Sequence, residues 1–272
     1  MSNLQLRIIS SVVLVVVVVA LTLAGGLAFR LLAAAIAAGV FYEWNAMSGT
    51  AALRRQQWGA ALLLAMVLIA LVLRIPAVAI FGLAAVAVAL AWLLGRFGKE
   101  DRWTAGGVAY AGLSGVSLGL LREESSAGLV AILFLFAAVW ATDVCAYFVG
   151  RAVGGPKLAP SISPGKTRSG ALGGAVGGVA AAVLVAHFAG AANLAMLALV
   201  ALLLSVVSQA GDLFESWVKR RHGVKDSGSI IPGHGGVMDR VDGLVAAAVA
   251  LYVIGALSGS ADNPAQALFA IR

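Results

Sequence analysis

Residues 127–149 read AGLVAILFLFAAVWATDVCAYFV, 23 positions with a single charged side chain, Asp143. About 20 apolar residues in helical form cross the roughly 30 Å of bilayer hydrocarbon. The stretch is therefore long enough to span as one helix, and it lacks the period-two alternation of a barrel strand. Runs of similar length recur at 8–24, 27–47, 58–74, 76–95, 104–121, 170–190, 193–211 and 241–259, making nine in all. The runs at 27–47, with Glu43 inside it, and at 104–121, rich in Gly and Ser, are the weakest. The first run follows Arg7 as a signal peptide would, but further spans follow at once, so it reads as a retained helix. The whole chain of 272 residues is 61% hydrophobic and 11% charged, with a mean hydropathy of +1.00. About a quarter charged is usual for a soluble domain. The expected fold is an all-α integral membrane protein, a polytopic bundle of about nine transmembrane helices.

Charge is scarce, and its placement is informative. With the N-terminus on the cytoplasmic side, the inward segments hold Arg7, Arg54, Arg55, Arg96, Lys99, Arg102, Arg151, Lys157, Lys166, Arg168, Lys219, Arg220, Arg221, Lys225 and Arg240. The outward edges hold only Arg30, Arg74, Arg122 and Arg272. This is the asymmetry that sets membrane topology. It places the C-terminus outside after nine spans, and it explains the net charge of +7 without nucleic acid. The single Cys145 excludes an intramolecular disulfide and a cysteine-rich zinc site.

The expected organisation is a set of N-terminal transmembrane helices over 1–125 and a C-terminal catalytic region over 126–272. The second part contains two long polar loops on the cytoplasmic side, 150–169 and 212–242. Residues 212–242 carry Asp212, Glu215, Lys219, Arg220, Arg221, Lys225, Asp226, Asp239, Arg240 and Asp242, a third of the chain's charged residues. Long ordered loops on a rigid scaffold are where chemistry concentrates.

Four elements in 212–242 suit a metal-assisted phosphate site. Asp212 ends the eighth apolar run, and Asp239 and Asp242 open the ninth, three residues apart and so on one helical face. A helix N-terminus favours their ionised form, and hard carboxylate oxygens suit Mg²⁺. Gly233-His234-Gly235-Gly236 offers backbone N–H groups to a phosphate just before that helix. Lys219, Arg220, Arg221 and Lys225 supply cations for polyphosphate or anionic lipid. Pro232 stiffens the entry to the glycine turn. Lys219–Arg221 alone would read as a membrane anchor; with paired carboxylates and a glycine turn nearby, they read as part of a site.

The first loop offers a complementary half. Asp143 lies seven residues before Gly150, about 10 Å below the interface at 1.5 Å per residue, and ionisable residues at such depth are costly and usually functional. Beyond it Lys157, Ser161, Ser163, Pro164, Lys166 and Thr167 make a loop able to bind phosphate that does not match a Walker A pattern. Other conspicuous residues take plainer readings. Gly170, Gly173, Gly174, Gly177 and Gly178 form one small-residue stripe for close helix packing. Cys145 and His187 are expected to be buried spectators, and Trp44, Trp58, Trp92 and Trp103 interfacial anchors.

The stretch 216–242 resembles the signature of the phosphatidate cytidylyltransferase (CDP-diacylglycerol synthase) family. Ser216, Lys219, Arg220, Lys225, Asp226, His234, Gly235, Gly236, Asp239, Arg240 and Asp242 fill its places. Asp143 through Gly150, Ser163-Pro164 through Thr167, and Tyr42-Glu43-Trp44 are similar to other parts of that family. One segment departs: where the family usually reads Ser-Pro-Lys-Lys-Thr-Trp-Glu-Gly, this chain has Ser163-Pro164-Gly165-Lys166-Thr167-Arg168-Ser169-Gly170.

The resemblance implies a nucleotidyl transfer in phospholipid biosynthesis, from CTP to phosphatidate drawn from the inner leaflet, yielding CDP-diacylglycerol and pyrophosphate. It further implies Mg²⁺ on Asp212 and Asp239 with Asp242 beside them, and a second cation at Asp143. Lys219, Arg220 and Arg240 would bind phosphates, His234 with its glycines would shape the nucleotide turn, and Lys166 and Thr167 would contact CTP or the lipid headgroup. The expected setting is a bacterial inner membrane, with the N-terminus and active site cytoplasmic, membrane lipid as a partner and a homodimer left open. The alternatives are a CTP-dependent polyprenol or lipid kinase, and a transporter, which would show internal repeats.

Overall fold

The computed structural model describes residues 3–47, 54–96 and 101–269; Lys99 and Arg272, both counted in the charge asymmetry, lie outside them. The elements in order are α1 (Asn3–Ala24), α2 (Gly26–Met47), α3 (Arg54–Val72), α4 (Ala77–Gly95), α5 (Asp101–Arg122), α6 (Ser126–Val153), β1 (Lys157–Ala159), β2 (Ser163–Thr167), α7 (Arg168–Phe188), α8 (Leu194–Arg221), α9 (Met238–Ser258) and α10 (Pro264–Leu268). Among the described residues, α2 and α4 to α9 are the seven helices long and apolar enough to cross a membrane. The shorter apolar stretches Ile8–Ala24 and Gln57–Val72 lie in α1 and α3. The protein is an all-α polytopic membrane protein.

Both polar loops are more ordered than hydropathy alone indicates. α6 and α8 each run for 28 residues, about 42 Å at 1.5 Å per residue and well beyond the hydrocarbon thickness. The stretch from Asp212 to Arg221, expected to be loop, is the last part of α8. A helix continues through polar residues as long as its backbone bonds continue, so the end of an apolar run marks the membrane boundary rather than the helix end. In the other loop, β1 and β2 pair antiparallel, with Lys157 opposite Thr167 and Ala159 opposite Ser163. Thr167 then caps α7, its hydroxyl accepting the Gly170 N–H at 3.1 Å.

The chain forms two compact units, Met1–Leu120 with His222–Val241, and Leu121–Arg221 with Asp242–Arg272. In the first, α2 and α5 approach closely: a Cβ on Gly115 would lie 2.6 Å from Ala37 Cβ, and one on Gly107 would lie 2.6 Å from the Trp44 ring. Trp44 and Trp103 stack with centroids 4.2 Å apart. Each indole N–H donates to the other residue's carbonyl, at 2.8 and 3.1 Å. Trp44 is thus buried packing rather than an interfacial anchor, whereas Trp58 is 70% exposed.

In the second unit the glycine stripe of α7 lies directly on α6. A Cβ at Gly170, Gly174 or Gly178 would stand 2.7 Å from the carbonyl oxygens of Ala146, Thr142 and Ala138, three successive turns of the facing helix. Gly173 abuts Val149 and Gly177 abuts Cys145, which fixes the cysteine as a packing residue. His187, expected to be buried, is exposed in the last turn of α7.

Candidate active site

Two glycine–aspartate pairs build the acidic part of the second unit. Gly211 precedes Asp212 on α8 and Gly243 follows Asp242 on α9. A Cβ at Gly211 would meet Ala246 Cβ at 2.6 Å, and one at Gly243 would meet Ser208 O at 2.9 Å. The helices therefore touch beside the two acids, and this puts Asp212 and Asp242 within electrostatic range of each other. Asp143 on α6 interacts with both, and with Lys166. Next to it, the hydroxyls of Thr142 and Ser205 meet at 2.7 Å, while Gln209 Nε2 donates to Ala171 O at 3.3 Å. These contacts tie α6, α7 and α8 together around the acids.

Lys166, carried by β2, forms an ion pair with Asp212 Oδ2, and Ser216 Oγ donates to Asp212 Oδ1 at 3.4 Å. Lys166 and Asp212 border a cavity of about 610 Å³ whose lining also includes Asp143, Tyr147, Lys157 and Gln209. That volume is within the usual range for small-molecule sites. Arg151, also in the lining, donates to the Tyr147 hydroxyl at 3.0 Å. Of the residues expected here, Asp143, Lys166, Thr167 and Asp212 line the cavity, although the Thr167 hydroxyl is engaged as the α7 cap. Ser163 lies at the start of β2, opposite Ala159. Lys219 is paired with Glu215, a fully buried acid one turn earlier on α8, at 3.4 Å, while Arg220 is exposed.

The remaining expected residues belong to the first unit. Gly233 and Gly235 have φ of 79° and 90°, in the left-handed region that favours glycine. The turn closes through Ile231 N–H to Gly235 O at 2.9 Å and His234 N–H to Ile231 O at 3.0 Å. Asp239 Oδ2 accepts from Ser227 N, Ser227 Oγ and Gly236 N, each at 3.0 Å. His234 is held by α1: Ser10 Oγ lies 2.8 Å from Nδ1 and Ser11 Oγ lies 2.8 Å from Nε2. Arg240 Nη2 donates to the His234 carbonyl at 2.8 Å. Lys225 and Asp226 are exposed.

Glu43, the acid that weakens 27–47 as an apolar run, has a specific place in the structure. It is fully buried on α2 and accepts from Ser227 Oγ at 2.9 Å and from the N–H groups of Val237 and Met238 at 2.8 Å. An acid inside an otherwise apolar run was the available signal.

The donor chemistry bears on a metal. Near the cavity, three carboxylates, Asp143, Asp212 and Asp242, interact with one ammonium, Lys166. No group of three or more His, Cys, Asp or Glu among the described residues could hold an ion by itself. Mg²⁺ commonly takes only one or two carboxylates and fills its shell with water and substrate phosphates. The residues present therefore fit an ion arriving with polyphosphate, rather than a closed protein cage.

A family model described as "Cytidylyltransferase family" matches residues 5–258. The chain belongs to the cytidylyltransferase family. It is 48% identical over 273 residues, 99% of each chain, to a protein of Brucella suis biovar 1 (strain 1330) named phosphatidate cytidylyltransferase. A relative of the same name from Brucella abortus biovar 1 (strain 9-941) is 49% identical over 266 residues, covering 96% of this chain and 97% of its own. A Haemophilus influenzae protein of that name is 44% identical over 125 residues, covering 44% of this chain and 43% of its own.

Proposed function

We propose that the protein condenses CTP with phosphatidate, leaving CDP-diacylglycerol in the membrane and releasing pyrophosphate. The observation that carries this reading is the 48% identity over 99% of both chains to a relative named for that reaction. In the second unit a cavity lined by Lys166, Asp143 and Asp212 supports it, and in the first unit so does a glycine turn leading into α9.

In this reaction a phosphate oxygen of phosphatidate bonds to the α-phosphorus of CTP. The bond from that phosphorus to the bridging oxygen breaks, and pyrophosphate leaves with the electron pair. Phosphatidate is already anionic, so catalysis needs alignment and charge neutralisation more than a strong base. Lys166 would offset phosphate charge, with Asp212 orienting its ammonium. Lys157 and Arg151 would attract anionic headgroups, and Arg240 and Lys225 would meet the nucleotide beside the turn. A Mg²⁺ ion arriving with the triphosphate and held by Asp212 and Asp242, with Asp143 available to a second cation, would supply further neutralisation.

The positive-inside asymmetry supports a cytoplasmic site, the side from which CTP arrives. The bacterial origin of the relatives supports a bacterial cytoplasmic membrane. The test is pyrophosphate release by purified protein in detergent. Release requiring both CTP and phosphatidate upholds the reading, whereas CDP release with a polyprenol acceptor would replace it with a lipid kinase.

A further inference from the structure

We infer that Glu43, on the second helix, is a positioning residue for the signature loop, setting the backbone over 227–238 and through it the carboxylate of Asp239. The inference rests on the cytidylyl-transfer reading for its kinetic arm only.

A buried carboxylate can simply be a tolerated polar group; here its surroundings are built for it. Both oxygens face one loop: Oε1 takes the Val237 N–H at 2.8 Å, and Oε2 takes the Met238 N–H at 2.8 Å and faces Ser227 Oγ at 2.9 Å. The two amides lie just before and at the first residue of α9, where helical N–H groups lack intrahelical partners. Glu43 thus supplies in trans what an N-cap side chain supplies locally.

The loop is also moulded on this carboxylate. A Cβ at Gly228 would stand 2.6 Å from Glu43 Oε1, and one at Gly236 would collide with Oε2. One turn earlier on α2, Gly39 leaves room for Val237, whose Cγ2 would be 3.2 Å from a Cβ there. The same face of α2 therefore receives the Val237 side chain and its backbone N–H.

Ser227 carries the effect onward. Its hydroxyl has one proton and faces two carboxylate oxygens, Glu43 Oε2 at 2.9 Å and Asp239 Oδ2 at 3.0 Å. Its own N–H and that of Gly236 hold Asp239 Oδ2, each at 3.0 Å. Displacing Glu43 shifts donors that Asp239 depends on, with Ser227 as a side-chain partner common to both acids.

The test compares wild type, Glu43→Gln, Glu43→Asp, Ser227→Ala and the double variant Glu43→Gln with Ser227→Ala, all purified in detergent. Gln presents an NH₂ where amides must be accepted. A misplacement of about 1 Å can cost on the order of 10²-fold in rate, so Glu43→Gln should lower kcat about 10- to 100-fold with KM for phosphatidate little changed. Glu43→Asp should recover part of that loss, and the double variant should be no slower than Glu43→Gln alone. A binding arm, the thermal shift produced by CTP with Mg²⁺, should shrink in Glu43→Gln and partly return in Glu43→Asp. Multiplicative kinetic losses, or a full CTP-induced shift in Glu43→Gln, would overturn the inference. A wild type that binds CTP but transfers no cytidylyl group defeats the functional reading, and the binding arm alone then decides on Glu43. If Glu43→Gln does not fold, Ser227→Ala serves instead: a normal kcat and CTP-induced shift there overturn the inference, and a reduction in both supports it.

Discussion

Lys166, on the second strand of the hairpin, is paired with Asp212 on α8, 46 residues later in the chain. Both side chains keep 28% of their surface exposed and both line the cavity, so the pair remains accessible to a ligand. A charge placed where phosphates react matters far more than a surface ion pair, whose own worth is about 0–1 kcal/mol. Lys166→Met and Asp212→Asn should each reduce kcat/KM on the order of 10²-fold, with thermal stability in detergent nearly unchanged. Steady-state pyrophosphate release measures the first and a melting curve the second.

The α6–α7 contact predicts a stability effect without a chemical one. Gly178→Ala would push a Cβ against Ala138 O and the Thr142 hydroxyl, and Gly174→Ala against Thr142 O. Overpacking of this kind costs about 1–3 kcal/mol, so both variants should melt earlier in detergent. Gly82→Ala, on α4 with nothing beyond its own helix backbone within 4 Å of the added Cβ among the described residues, should be neutral or slightly stabilising from helix propensity alone.

That contrast shows what the sequence made legible. Spacing alone marked the α7 glycines as one face, and all five meet α6. The apolar runs located the helices for the same reason: a membrane imposes length and composition together. Hydropathy could not show α8 continuing past Asp212, because polar residues end a membrane span without ending a helix. The hairpin was illegible because its two strands are short and contain Pro164 and Gly165. Asp143, Lys166 and Asp212 stood out individually by residue type and depth. Glu43 stood out as an acid inside an apolar run, but its role did not, because two of its donors are backbone N–H groups more than 190 residues away, and such groups leave no mark in a sequence.

His234 offers a test of the turn's anchor. Its ring nitrogens meet Ser10 and Ser11 of α1, while its carbonyl receives Arg240. His234→Ala and the double variant Ser10→Ala with Ser11→Ala should lower activity to a similar extent, and combining all three should add little further. Comparing kcat/KM across the three proteins decides it; full additivity would mean that His234 acts away from α1.

Glu123, between α5 and α6, accepts the Ala265 N–H at 2.8 Å and the Ser125 hydroxyl at 2.9 Å. Burial pushes its carboxyl above the ordinary value of 4.5, with those hydrogen bonds opposing the rise. The native state then keeps this proton to higher pH than the unfolded chain does. Its contribution is complete below the unfolded value and is lost as pH rises through the folded one. Melting temperatures in detergent, followed upward from pH 4.5, should fall more steeply for wild type than for Glu123→Gln.

On the proposed function, this membrane scaffold moves the cytidylyl group, rather than the terminal phosphate, of CTP onto a lipid phosphate. Purified protein with phosphatidate and Mg²⁺ should be given CTP labelled in parallel at the α- or the γ-phosphorus, and the lipid phase counted. The α-label should enter the lipid and the γ-label the released pyrophosphate, in equal amounts. Label from the γ-position in lipid, with CDP left in water, would contradict it.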